Sequence, residues 1–112
     1  MNFKLVPTPV FERAIKAFAK RHKSLRQDLT LFGDSLRQNP FQGVEISPGI
    51  RKIRMAIASK GRGKSGGARV ITYTVIIAED AGVVYLMDIY DKAEHSTVDA
   101  DIIRQRIADL DL

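Results

Sequence analysis

Apolar and polar positions alternate over residues 2–6, with Phe3 and Leu5 set against Asn2 and Lys4, which predicts a short strand ended by Pro7. Thr8-Pro9 then supplies an N-cap and a proline at the first helical position. Phe11, Ala14, Ile15 and Phe18 recur at helical spacing while Glu12, Arg13, Lys16 and Lys20 face away, so residues 9–21 read as an amphipathic helix. Ser24 with Gln27 three residues later predicts a capping box for a second helix, whose apolar stripe is Leu25, Leu29, Phe32 and Leu36 and which Asn39-Pro40 stops. The two helices read as an antiparallel hairpin with its phenylalanines in the core.

Residues 40–49 contain Pro40, Gly43, Pro48 and Gly49 and are predicted to be a loop. From Ile50 the period changes to two. Ile53, Met55 and Ile57 share one face of a strand, and Lys52, Arg54 and Ala56 take the other. Residues 59–67 hold four glycines and three basic residues and predict a long loop between strands. The β-branched run over residues 69–77 predicts a central strand, and Asp80-Ala81-Gly82 a turn into an antiparallel strand over 83–90. Ser96-Thr97-Val98-Asp99 predicts the cap of a last helix with Val98, Ile102, Ile103, Ile107 and Leu110 on its inner side. The predicted order is β-α-α-β-β-β-α, an α+β domain without internal repeats. Tyr73 and Tyr85 are expected to pack on a sheet face.

At 112 residues and 45% hydrophobic, the chain fits a single domain over residues 1–112. No apolar run is long enough to span a bilayer and the first residues do not read as a signal peptide, so a soluble, unprocessed, cytoplasmic protein is expected. Zero cysteines exclude disulfides, thiolate metal sites and cysteine nucleophiles, and two lone histidines do not build a zinc site. Asp88 and Asp91 alone do not make a metal site either.

The net charge of +5 hides a segregation. Residues 51–69 carry seven basic side chains and no acidic one; residues 1–50 carry eight against four, and residues 70–112 three against nine. Interleaved with glycine and strand signals, the basic run reads as more than a solvated face, and a polyanion is the expected partner.

Residues 58–65, Ala58-Ser59-Lys60-Gly61-Arg62-Gly63-Lys64-Ser65, satisfy a loose phosphate-binding loop pattern, and the run from Val83 to Asp88 imitates its magnesium-holding strand. The mechanism of that loop requires a helix straight after the Lys-Ser pair, whose N–H groups meet the phosphates. Gly66-Gly67 and a β-branched strand follow instead, so a nucleoside-triphosphatase reading is refused.

The stretch Gly49-Ile50-Arg51-Lys52-Ile53-Arg54, the glycine-rich basic loop from Ser59 to Gly67, Ala68-Arg69-Val70-Ile71 and the later run from Tyr85 to Glu94 together resemble the RelE/ParE superfamily of bacterial toxin–antitoxin toxins, closest to its HigB-like branch. The resemblance covers essentially the whole chain. It implies a RelE-like fold, β-α-α-β-β-β(-α), with a small, mainly antiparallel sheet packed by an N-terminal helical hairpin and a C-terminal helix. It also implies a ribosome-dependent mRNA interferase, a metal-independent endoribonuclease that inhibits translation by cutting translated mRNA, needs no cofactor, and is silenced by a cognate antitoxin of helix-turn-helix type from an adjacent gene. Position by position, Lys52 and Arg54 match the two basic residues of the family's second strand, Arg69 the arginine opening the third, Lys92 a basic residue after the fourth, and Tyr90 a tyrosine of the HigB-like branch. The founding RelE toxin uses a tyrosine near its C-terminal helix, where this chain has His95-Ser96-Thr97-Val98-Asp99. The general base is therefore open among Lys52, Tyr90, Lys92 and His95.

Cleaving RNA at its 2′-OH means removing that proton, stabilising a crowded anionic phosphorus and protonating the leaving 5′-oxygen. A cluster of Lys52, Arg54, Arg69 and Lys92 complements the phosphate, with Arg54 and Arg69 holding it, Lys52 and Lys92 sharing proton transfer, and Tyr90 stacking on a base or assisting with the proton. Arg51, Lys60, Arg62 and Lys64 are expected to grip RNA backbone by charge. Two alternatives compete: a ParE-like toxin that inhibits gyrase, and a non-catalytic RNA- or ribosome-binding protein.

Overall fold

The structure, a computed structural model, describes residues 2–61, 63–64, 66–94 and 98–112. Strand β1 (Asn2–Pro7) leads into helices α1 (Pro9–Arg21) and α2 (Leu25–Gln38), followed by β2 (Val44–Ser47), β3 (Ile50–Met55), a single 3-10 turn (Ala58–Lys60), β4 (Ala68–Ala78), β5 (Ala81–Asp91) and α3 (Ala100–Asp109). These elements make an α+β architecture around a five-stranded mixed sheet of order β1-β5-β4-β3-β2. β1 lies parallel to β5, and the other three pairings are antiparallel.

Both faces of the sheet are covered. The helical hairpin seals one, where Phe11, Phe18, Leu25, Phe32 and Leu36 pack on Ile53, Met55, Val70, Val84 and Leu86. Helix α3 covers part of the other, where Ile103 packs with Ile50, Ile71, Met87 and Tyr90. The stacked pair Tyr73 and Tyr85, 6.3 Å between ring centroids, lies against this second cluster, as the sheet-face expectation had it. Ile71 pairs with Asp88 and Thr72 with Leu86, so Met87 is an extra residue on β5. This bulge turns Met87 toward α3 while Leu86 stays in the opposite core.

Several local expectations are corrected. The predicted loop over 40–49 contains β2, because Pro48-Gly49 forms the turn of a hairpin in which Gly49 takes φ +78°. Ser24 precedes α2 but makes no capping hydrogen bond; its hydroxyl donates to Asp28 Oδ2 at 2.6 Å and accepts from Ser59 N at 2.9 Å. Helix α3 is capped by Asp99, which accepts from Asp101 N at 2.9 Å, whereas Ser96 and Thr97 lie outside the described residues. Ile102, expected inside, is 51% exposed, because only Ile103 on that turn meets the sheet squarely. No helix among the described residues is long and apolar enough to cross a membrane.

Candidate functional site

The period of two on β3 puts Lys52 and Arg54 on the face that α3 leaves partly uncovered, and strand register then decides their neighbours. Arg54 pairs with Arg69 of β4, and Arg69 with Tyr90 of β5, so the three side chains form one row across three strands. Lys52, Ile71 and Asp88 form the adjacent row. Lys92 follows the end of β5, where its N–H donates to Gly67 O at 3.3 Å and ties the strand end to the start of β4. On its other side Gly67 lies close to β3, where a Cβ would come within 2.2 Å of the Met55 carbonyl oxygen.

These side chains line one open cleft of about 650 Å³. Lys52, Arg54, Lys64, Arg69 and Lys92 contribute five cations, Tyr90 contributes a phenol, and Gln42, Gly43 and Val44 form a wall; among the described residues none that lines it is acidic. Among the described residues, Lys52, Arg54, Lys64 and Lys92 form no salt bridge. The carboxylates nearest in sequence to Tyr90 are neutralised by cations from outside the cleft. Asp88 pairs with Arg106 at 3.1 Å and accepts from Ile89 N, while Asp91 pairs with Lys60 at 2.8 Å. Like charges collected against a partly apolar wall focus a positive potential that an anion relieves.

Arg69 and Tyr90 are each only 8% exposed. Arg69 Nη1 donates to the carbonyls of Ala68 (3.2 Å) and Lys64 (3.3 Å), which steadies the guanidinium and the basic loop together. Burial pushes the Tyr90 phenol above its ordinary value; Arg69 pulls the other way and Asp88 adds to the rise. At neutral pH it is therefore an uncharged hydrogen-bond donor.

Beside the cleft, Asp91 gathers three segments. Its carboxylate accepts from Lys60 Nζ (2.8 Å) and Ala93 N (2.9 Å), and His22 Nε2 lies 3.4 Å away, its ring against Phe18. Burial alone would raise the Asp91 pKa, but Lys60, the Ala93 N–H and His22 outweigh it and hold the carboxyl below its ordinary value. Nearby, Arg21 pairs with Glu94.

The structure thus brings together Lys52, Arg54, Arg69, Tyr90, Lys92 and Lys64, and separates two cations that the sequence grouped with them. Lys60 is turned toward Asp91. Arg51 does not line the cleft, and its Nε and Nη2 donate to the carbonyls of Gln42 (2.8 Å) and Gly43 (3.2 Å), pinning the wall. Arg62 and His95 lie outside the described residues. Gln42, Gly43 and Val44 lie in the segment whose prolines and glycines predict a loop, and of the three Gly43, at φ +75°, is the one with a local sequence signal. After Lys64 the chain turns into β4, antiparallel to β5, which leaves no helix to receive a nucleotide phosphate. Among the described residues no group of three metal-ligating side chains is assembled. A scan against protein-family models returns no match to this chain.

Proposed function

We propose that the chain is a ribosome-dependent mRNA interferase, a toxin of the RelE/ParE superfamily and its HigB-like branch, held silent by a cognate antitoxin. The observation that carries the proposal is the cleft in which five cations and a neutral phenol meet with no carboxylate among the described residues that line it. Such a surface attracts a phosphodiester, and its row of Arg54, Arg69 and Tyr90 stabilises charge that grows on phosphorus during in-line attack. The 2′-oxygen forms its bond to phosphorus as the bond to the 5′-oxygen breaks. One proton leaves the 2′-OH and one reaches the departing 5′-oxygen. Arg54 and Arg69 hold the phosphate, Lys52 and Lys92 share the proton transfers, and Tyr90 stacks on a base or assists with the proton. The message is a single strand presented by the ribosome, and Lys64 adds backbone grip without reading sequence.

The test is 5′-end mapping on ribosome-bound message with purified, folded protein. Cleavage by the wild-type chain is expected, with Arg69→Ala slowed at least about a hundredfold, the cost of removing one preorganised charge-stabilising donor. Cutting by Arg69→Ala at the wild-type rate refutes the role of the row. Intact message together with inhibited supercoiling by gyrase moves the chain to the ParE-like branch, and intact message on a stalled ribosome makes it a binding protein.

A further inference from the structure

The cationic cleft continues past the edge of the sheet. β2 pairs with β3 only as far as Lys52, so Arg54 to Ala56 run along an edge with no strand beside them on that side among the described residues. Helix α2 has two working faces: Leu25, Phe32 and Leu36 are buried in the core, while Asp28, Leu31 and Ser35 form a second stripe at i, i+3 and i+7. Between that stripe and the β3 edge lies a recess of about 220 Å³, its apolar lining made by Leu31, Phe32, Met55 and Ala56. Gln42, Arg54 and Lys64 line both this recess and the cleft, so the two adjoin across these three side chains. Leu31, 63% exposed, has no place in the core stripe.

We propose that this recess is a nucleobase subsite, taking the base of a single-stranded nucleotide whose phosphate lies between Arg54 and Lys64. The inference rests on the reading of the cleft as an RNA-binding surface and adds to it where a base goes. A mainly apolar space opening beside cations matches a nucleotide, which has one flat apolar part and one anionic part. A base inside a duplex cannot enter sideways, so the occupant is single-stranded.

The polar groups at the rim are held in place. Gln42 Nε2 donates to the carbonyls of Ser35 and Asn39 and to Ser35 Oγ, each at 3.0 Å. Two carbonyl partners fix which end of the amide is nitrogen and leave Oε1 as the acceptor still available on a side chain that lines the recess. Asp28 is occupied, accepting from Ser24 Oγ at 2.6 Å and from Ala58 N at 3.2 and 3.3 Å. The backbone of Arg54 completes the rim. A Cβ on Gly43 would lie 2.2 Å from the Lys52 carbonyl oxygen, and one on Gly67 2.2 Å from that of Met55, so even-numbered residues of β3 turn their backbone groups toward β2 and odd-numbered ones toward β4. By that alternation the N–H and C=O of Arg54 face the open edge. An acceptor on Gln42 and a donor–acceptor pair on Arg54 suit the edge of a base whose face lies on Leu31 and Met55.

The experiment compares a single-stranded RNA hexamer, the same hexamer with one abasic residue moved through each position, and inorganic polyphosphate, binding to the wild-type chain, Leu31→Ala and Arg69→Ala. Leu31 is exposed and alanine favours helix, so Leu31→Ala is expected to fold. It is expected to bind the hexamer about fivefold more weakly and polyphosphate unchanged. One abasic position is expected to weaken wild-type binding about tenfold and to cost only about twofold more in Leu31→Ala. Wild-type affinity in Leu31→Ala, or equal binding of every abasic hexamer, overturns the subsite while a loss in Arg69→Ala keeps the cleft. A hexamer that binds no variant, the wild-type chain included, overturns both.

Discussion

Two lysines, Lys60 and Lys64, sit in the same glycine-rich loop, yet the structure gives them opposite electrostatic roles. Lys64 lines the cleft without a salt bridge among the described residues, whereas the Lys60 ammonium lies 2.8 Å from Asp91. For single-stranded nucleic acid, the logarithm of affinity falls with the logarithm of salt by about 0.7 per phosphate neutralised. Five cleft cations, each meeting one phosphate, set an upper bound of about −3.5 on that slope, a loss of roughly a hundredfold in affinity between about 50 and 200 mM salt. Lys64→Gln is expected to bring the slope to about −2.8 and the loss to roughly fiftyfold. Lys60→Gln removes the same formal charge but is expected to leave the slope unchanged, because a cation already paired with a carboxylate releases no counterion from the RNA when it is lost. Fluorescence anisotropy of a labelled single-stranded RNA across a salt series, with circular dichroism confirming the fold of both variants, measures the difference. Equal reductions in slope for the two variants refute the reasoning.

The Asp91 cluster makes a stability prediction. Asp91→Ala strands the half-buried Lys60 and His22 and is expected to cost about 3 kcal/mol, read as a lower urea midpoint and a melting temperature lower by roughly 10 °C; Asp91→Asn, which keeps the acceptor oxygen, is expected to cost less. Because the folded carboxyl titrates below its ordinary 3.8, the unfolded chain binds more protons in that range, so the contribution is complete above about pH 5 and is lost as pH falls through 3.8 toward the folded value. A pH–stability curve as steep in Asp91→Ala as in the wild-type chain over that window counts against it. Gly43→Ala is expected to destabilise by about 2 kcal/mol or more, since its Cβ meets the Lys52 carbonyl oxygen at φ +75°, whereas Gly61→Ala, at φ +67° with nothing within 4 Å, is expected to cost only about 1 kcal/mol. Thermal melts that reverse this order contradict the close packing of the cleft wall.

Features that depend only on neighbours along the chain are legible in the linear sequence. The alternation around Ile53 set Lys52 and Arg54 on one face of a strand, the stripe from Phe11 to Phe18 defined α1, and the glycine-rich stretch marked a connection with unbalanced positive charge. The tertiary structure decided which distant groups meet. Strand register, fixed by packing on both faces of the sheet and by the extra residue Met87, put Arg54, Arg69 and Tyr90 in one row. β2 is not legible in the sequence because four residues between turns, two exposed and two half-buried, hold too little pattern, and only their pairing with β3 makes them a strand. Arg51 and Lys60 read as members of the same basic run, but carbonyls of Gln42 and Gly43 hold one and a carboxylate 31 residues away holds the other. A linear chain records the sign of each charge; whether that charge faces a ligand or a partner is settled by the fold, because at contact distance a single carboxylate outweighs any number of residues that are merely close in sequence.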